Sequence, residues 1–436
     1  MRSKSVRHIV AIAGAIAMVA VMRVYFARRG SLTDTVLTAA GFPGQRYFSD
    51  LYPRWLGSRE LLLHHQDPYT PQVTRNIQRG YYGRPIDPQR ATDPVDEQRF
   101  AYPLYVVFFF APTILFSFPA ARLIWDPLLV LFAGGSVLLW LRAVGVKSFP
   151  TQQIVCILLA LSTLPFMQAL QLEQLSLLVG FLAAWCIAAL VRGRLDLAGV
   201  LLALATVKPQ LVALLALFLF VWTLGSWRQR RRLLLAFAIT MVMLIAAASI
   251  FLPSWPIEFV HGLKSYVAYT NASSILQAFF GKHWGTAISV VAAASVLVLS
   301  WKFRRMAPDS LPFRLLLALA VSCTCLTIPS MAPHNQVLLV PAYLLLLSER
   351  RQIWNIGRVS RALYLAAWGL LIWSWATGII SVLAINEHRH YEVFNLPFAT
   401  NPVVPSVCFV LFLILTTRTD VPHVEAIEPR AHSHAQ

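Results

Sequence analysis

Three chemically loaded side chains stand at the edges of apolar blocks: Asp50, Lys208 and His334. Asp50 belongs to FSDLYPRWLGSRELLLHHQDPYT (48–70), which crowds Asp50, Arg54, Arg59, Glu60, His64, His65 and Asp67 together just after the first apolar segment. A carboxylate at an apolar–aqueous boundary can take a proton from a hydroxyl, the more so when partial burial raises its pKa. The same position also suits an N-cap, or a partner for Arg54 one turn on. Lys208 interrupts an apolar run, where an ammonium meets an anion such as a lipid phosphate or snorkels to the interface. His334 and Asn335 occupy a tight turn in IPSMAPHNQVLLVP (328–341), where histidine can donate to phosphate, titrate near neutrality or simply shape the turn.

Other polar groups are weaker candidates. Glu173, with Gln171 and Gln174, joins two apolar blocks and reads either as a cavity lining or as a solvated hairpin. The sequon Asn271-Ala272-Ser273 offers Asn271 and Ser273 as sugar contacts. Glu387, His388, His390 and Glu392 are metal-ligand types whose spacing matches no strong motif, so no cofactor is expected and a divalent metal stays open. There is no Walker lysine loop, dinucleotide glycine fingerprint or nucleophile elbow, and hence no sign of direct nucleotide use.

The elements that must position these groups are membrane helices. The chain is 57% hydrophobic and 13% charged, with a mean hydropathy of +0.62, far from a soluble composition. Its apolar blocks run to roughly 15–24 residues without the alternation of a β-barrel, so the fold class is all-α and polytopic. The net charge of +18 lies largely in short clusters between blocks, such as Arg228–Arg232 and Lys302–Arg305. That pattern suits topology signals and anionic lipid rather than nucleic acid. All five cysteines sit inside apolar blocks, without a disulfide framework or zinc spacing.

Counting blocks predicts about 12 spans (11 to 13), the first an uncleaved N-terminal helix rather than a signal peptide. Residues 1–417 form one transmembrane domain and 418–436 a short polar tail. Segments 195–207 and 210–224, split by Lys208-Pro209, read as two half-helices or one kinked helix. The positive-inside rule puts Arg142–Lys147, Arg192–Arg194, Arg228–Arg232, Lys302–Arg305 and Arg350–Arg361 in the cytoplasm. The opposite face receives residues 27–100, the Glu173 turn, Lys208 and the His334 turn. Parity fails if 102–118 and 123–141 both cross, so either one of them is re-entrant or the parity is broken elsewhere. Within 27–100, residues 50–64 have the apolar spacing of an amphipathic helix lying on the membrane surface, and 70–100 reads as an irregular loop.

These stretches together resemble glycosyltransferase family 87, formerly DUF2029. The family's first-loop pattern, D-F-x-x-Y-x-x-A-x-R-x-L-L followed by D-P-Y, is met by Asp50-Leu51, Arg59, Leu61-Leu62 and Asp67-Pro68-Tyr69. FAYPLYVVFFFAP (100–112) resembles its Y-x-Y-P-P stretch, LEQLS (172–176) its G-Q-x-N turn, and AGVLLALATVKPQ (198–210) its A-G-x-L…K-P segment. TNASSILQAFFG and SMAPHNQVLLVP resemble its N-Q-S-L and S-x-x-S-W-x-H-H segments. Arg54 stands where the family has an aromatic, Leu104 where it has a second proline, and Glu173 where it has glycine. The resemblance implies a GT-C-like bundle whose members transfer mannose from a polyprenyl-phosphate donor. It implies Asp50 as general base and Lys208 and His334 as donor-phosphate ligands. Substrate contacts would come from Arg59, Tyr102, Glu173, Gln174, Asn271, Ser273 and Asn335. The implied partners are a polyprenyl-phosphate sugar, a lipid or glycan acceptor and membrane lipids. The implied site is the cytoplasmic (inner) membrane, with the active site on its extracytoplasmic face. A flippase for lipid-linked sugars is the alternative, though its repeat symmetry is not evident; a non-catalytic subunit would not need the loaded first loop.

Overall fold

The computed structural model describes residues 2–42, 47–270, 272–383 and 391–418, in which every regular element is helical. Asn271, the side chains of the 387–392 cluster and the tail beyond Arg418 lie outside the described residues. Helix α1 is Arg2–Ala39. The polar stretch after it holds α2 (Tyr52–His64) and α3 (Pro71–Tyr82). Then follow α4 (Phe118–Ala143), α5 (Pro150–Leu161), α6 (Leu164–Gln171), α7 (Ser176–Val191), α8 (Leu195–Ala205) and α9 (Pro209–Leu224). Next come α10 (Trp227–Phe251), α11 (Trp255–Thr270), α12 (Ile275–Phe280), α13 (Lys282–Lys302) and α14 (Leu311–Thr327). A 3-10 turn, Pro333–Leu339, leads into α15 (Val340–Ser348). The last helices are α16 (Arg350–Ile356), α17 (Arg358–Leu383), α18 (Tyr391–Thr400) and α19 (Val403–Arg418).

The chain is a polytopic membrane protein with long candidate spans and shorter apolar helices. Among the described residues six helical stretches are long and apolar enough to cross a membrane, or seven if α5 and α6, bent by 67°, make one. The remaining blocks are helices of 10–17 residues, among them α7, α8, α9 and α14. Eleven residues, the length of α8, rise only about 16 Å against a hydrocarbon core of about 30 Å. These short helices differ in how far neighbours cover them: α9 leaves Leu217, Phe220 and Leu224 exposed. On α7 and α14 buried residues go all the way round.

The same shortness resolves the parity problem. Leu104–Thr113 is a succession of short 3-10 and α turns, while α4 alone has the length to cross. The basic clusters then gather at one end of the bundle. Arg314 donates to the Val144 carbonyl at 2.7 Å, and buried Arg230 donates to the carbonyls of Trp222, Arg304 and Met306. Lys208 opens α9 and Arg228 follows its far end, so the 16 residues of that helix put about 24 Å between the two.

Helix α2 does not lie along a surface; it is buried on most of its circumference. The cause is aromatic packing: Tyr52 and Trp55 meet Phe118 at ring centroid distances of 4.9 and 5.3 Å, and Gly57 lies flat against Phe100. The surface helix is α3, whose Val73, Ile77 and Tyr81 form one buried stripe four residues apart.

Close helix approach carries much of the packing. A Cβ on Gly199 of α8 would stand 2.2 Å from the Leu233 carbonyl oxygen of α10, whereas one on Gly369 of α17 would meet nothing within 4 Å. Small residues let membrane helices approach in this way. Gly199→Ala should therefore cost about 1–3 kcal/mol, the usual penalty for overpacking. Gly369→Ala should be neutral; equal melting temperatures of the two variants in detergent would contradict this packing.

Candidate active site

Four distant segments meet around one buried ammonium. Lys208 Nζ donates to Gln174 Oε1 at 3.0 Å and to Asn335 Oδ1 at 3.2 Å. The Gln174 carboxamide in turn donates to the Asp50 carboxylate. Asp50, Gln174, Lys208 and Asn335 are thus one hydrogen-bonded chain, and all four line a cavity of about 490 Å³ with Tyr102 and His334.

Local structure explains the placement. Lys208 sits in the break between α8 and α9, where Pro209 starts the new helix. The amino end of α9 adds its partial positive charge to the ammonium. Gln174 is aimed by the turn between α6 and α7, where Glu173 adopts a left-handed φ of 51°. This is the position at which the family pattern has glycine, the residue that takes such a φ without steric cost. Glu173 is held there by its own polar contacts: Ser49 Oγ donates to Oε2 at 2.6 Å and Arg122 forms an ion pair with Oε1. The neighbouring Asp50 N–H donates to the Leu172 carbonyl at 2.9 Å, which ties the first polar segment to the same turn. The His334 N–H donates to Gln168 Oε1 at 2.9 Å, fixing the later turn against α6.

Other expected positions lie elsewhere. Glu173 faces Ser49 and Arg122, and Arg59 donates to the Phe116 carbonyl at 3.3 Å beside the Trp55 ring; neither lines the cavity. Ser273 is half-buried outside it, and Ser274 rather than Ser273 caps α12. Asp67 closes the DPY turn by accepting from the Tyr69 N–H at 2.8 Å. His64 pairs with Glu60 at 3.0 Å on the outer part of α2. Among the described residues no three His, Cys, Asp or Glu side chains converge to hold a metal ion.

The cavity also holds Arg54, read from the sequence only as a partner of Asp50 and a departure from the family's aromatic, and groups that the motifs did not single out: Asp96, Gln98, Arg99, Tyr266 and Tyr269. The polar run DEQR (96–99), directly before FAYP, was the available signal. Arg54 lies over the Tyr102 ring at 4.3 Å and donates to the Asp50 carbonyl, while its Nε has no hydrogen-bond partner. His334 Nδ1 is likewise buried without a partner.

Electrostatics separates the roles. Burial raises the Asp50 carboxyl above the usual carboxylate range; Arg54 and Lys208 pull it back and Asp96 pushes it further up. Asp96 is raised by burial too. His334 is kept neutral by burial and by the charges of Lys208 and Arg54. Raised acids beside fixed cations in a cavity are a pattern of functional sites.

A model of glycosyltransferase family 87 matches residues 100–329 of the 436, more than half of the chain. The chain belongs to glycosyltransferase family 87. Curated proteins and solved structures gave no match. In this family 87 membrane glycosyltransferase the matched stretch contains Tyr102, Gln174 and Lys208. Asp50, Arg54, Asp96 and Arg99 precede it, and His334 and Asn335 follow it.

The raised Asp50 has a measurable consequence for stability. Its ionisation favours the unfolded chain, so the contribution of its protonated form is complete below the ordinary Asp range and is lost as pH rises through the raised pKa. Asp50→Asn is neutral throughout. It should melt above the wild type at about pH 8 and converge with it towards about pH 4, near the reference value for Asp. A pH-independent difference in melting temperature would remove Asp50 as the source.

Proposed function

We propose that this glycosyltransferase moves a hexose, mannose first among the candidates, from a polyprenyl-phosphate donor to a hydroxyl of a lipid or glycan acceptor in one inverting displacement. The observation that carries the reading is the convergence of a single raised carboxylate, Asp50, with Lys208, Arg54 and neutral His334 on one cavity. In the displacement the acceptor oxygen bonds to the anomeric carbon, the bond from that carbon to the phosphate oxygen breaks, and the acceptor proton passes to Asp50. A raised pKa suits a base that must hold that proton near neutral pH.

The leaving group departs as an anionic lipid phosphate, and the opposite wall is suited to receive it. Lys208 and Arg54 repel one another across a cavity that buries them, so an anion between them relieves an existing cost. The amino end of α9 favours the same charge, and His334, kept neutral, can donate a ring N–H without adding a third cation. Arg54 supplies a cation where the family pattern has an aromatic. Gln174 joins the two walls, because its amide donates to the base while its carbonyl accepts from Lys208.

The basic end of the bundle supports an extracytoplasmic orientation. With Arg142, Arg230, Arg304 and Arg314 in the cytoplasm, as the positive-inside rule favours, the Asp50 end points to the other face. A lipid-borne donor is consistent with that face, since nucleotide sugars are cytoplasmic.

Purified protein given labelled polyprenyl-phosphate-mannose and a membrane lipid extract should form a glycosylated product. Asp50→Asn should lower kcat/KM by about 100-fold or more, the usual contribution of a general base. In the wild type kcat/KM should fall as pH drops through the raised Asp50 pKa, giving an acid limb above the ordinary carboxylate range of about 4. Full transfer by Asp50→Asn would overturn the base assignment. Movement of the sugar-lipid across liposomes without a new glycosidic bond would favour a flippase.

A further inference from the structure

A second cavity, of about 600 Å³, is built entirely from residues 69–99. One irregular stretch, residues 94–101, walls both cavities. Pro94, Val95 and Glu97 face the outer one, Asp96, Gln98 and Ala101 face the one that holds Asp50, and Arg99 alone borders both. At Gln98 the chain turns through a left-handed φ of 52°. Asp96 holds that turn by accepting from the Gln98 N–H and Nε2 at 3.1 and 2.9 Å.

The outer cavity is preformed. Arg84 grips Asp93 with two bonds of 2.7 Å, and the Gln78 carboxamide bridges the Glu97 carbonyl and the Ile86 N–H at 3.0 and 3.1 Å. After these bonds are made, spare polar capacity remains on the wall. Among the described residues Arg75 is hydrogen-bonded only to Gln72 on its own exposed helical turn, and the Arg90 guanidinium makes no hydrogen bond, its charge acting at a distance on Asp93. Arg99 is tied to Glu97 at 2.6 Å but stands at the passage between the cavities.

This chemistry is wrong for a polyprenyl tail and right for sugars. Each sugar hydroxyl donates and accepts, and the wall offers both: donors on Arg75 and Arg90, and an acceptor on Asp87, of which one carboxylate oxygen takes the Gln89 N–H. The volume is within the range of roughly 300–1,000 Å³ that small-molecule sites occupy. We propose that the outer cavity is an acceptor subsite: it holds hexose residues of a glycan acceptor that lie beyond the hydroxyl presented to Asp50, with Arg99 at the passage. The subsite deepens the transferase reading and rests on it for the role of Asp50.

The test is equilibrium binding of mannotriose to the detergent-solubilised full chain. Wild type should bind it. The double variant Arg75→Ala/Arg90→Ala should raise the Kd about tenfold or more, corresponding to at least about 1.4 kcal/mol, with an unchanged melting temperature. Arg75→Gln/Arg90→Gln serves as a second variant pair if the alanines disturb folding. Absence of mannotriose binding to the wild type, or equal binding by the double variant, overturns the subsite. If binding behaves as expected while the labelled donor yields no product with the membrane extract, the sugar subsite stands and the transfer reading falls.

Discussion

The buried ammonium of Lys208 is the constraint around which the rest of the site is arranged. An unpaired cation away from water is costly, and it is tolerated only where fixed oxygens replace its hydration. Here the carbonyl oxygens of Gln174 and Asn335 do so, and each belongs to a segment far from Lys208 in the chain. Bringing Gln174 close forces the sharp turn at Glu173, whose left-handed backbone is held by Ser49 and Arg122. Bringing Asn335 close requires the neighbouring His334 turn to rest on Gln168. Asp50 is then positioned at second hand, through Gln174 and the Leu172 carbonyl. Asp50 and Lys208 cannot move independently, because the Gln174 carboxamide holds both.

That requirement also explains the short helices. A helix crossing the whole membrane satisfies its own backbone but offers no terminus inside it. Irregular backbone is tolerated at that depth only when protein covers it or it lines a cavity. The α8–α9 break and the 333–339 turn meet both conditions, since they line the cavity and are packed by α7 and α14. Stopping a helix at Lys208 supplies a dipole end and a charged side chain at one point.

The sequence carried much of this, and its failures have physical causes. The all-helical membrane class follows from composition, and Asp50, Lys208 and the His334–Asn335 turn were visible because charge is costly beside apolar blocks. The count of about 12 spans is not shown, because six or seven helical stretches have the length to cross and the other apolar helices are 10–17 residues long, a range in which hydropathy cannot tell lipid from protein as the burying phase. The surface placement of α2 failed for a related reason: its apolar spacing was real, but Phe100 and Phe118, more than 40 residues away, cover the rest of the helix. Asp96 and Arg99 were missed because a polar residue in a polar stretch carries no energetic anomaly. Their importance arises from the fold that turns 94–101 into a shared wall.

Under the proposed transfer, the shared electrostatics of the cavity would impose an order on protonation, as follows from the charges around Asp50. In the empty site Lys208 and Arg54 stabilise the ionised form of Asp50. A donor phosphate placed between those cations competes for the same charge, so the Asp50 carboxylate loses part of its support and becomes a stronger base. The base is therefore strengthened when the donor is in place. After the displacement the leaving phosphate carries more negative charge than the donor phosphodiester, which favours keeping the proton on Asp50 until the phosphate departs. Departure restores the cations to Asp50 and promotes release of the proton. A single cluster of charges, fixed by Lys208, can in this way couple donor binding, proton abstraction and product release without a conformational switch.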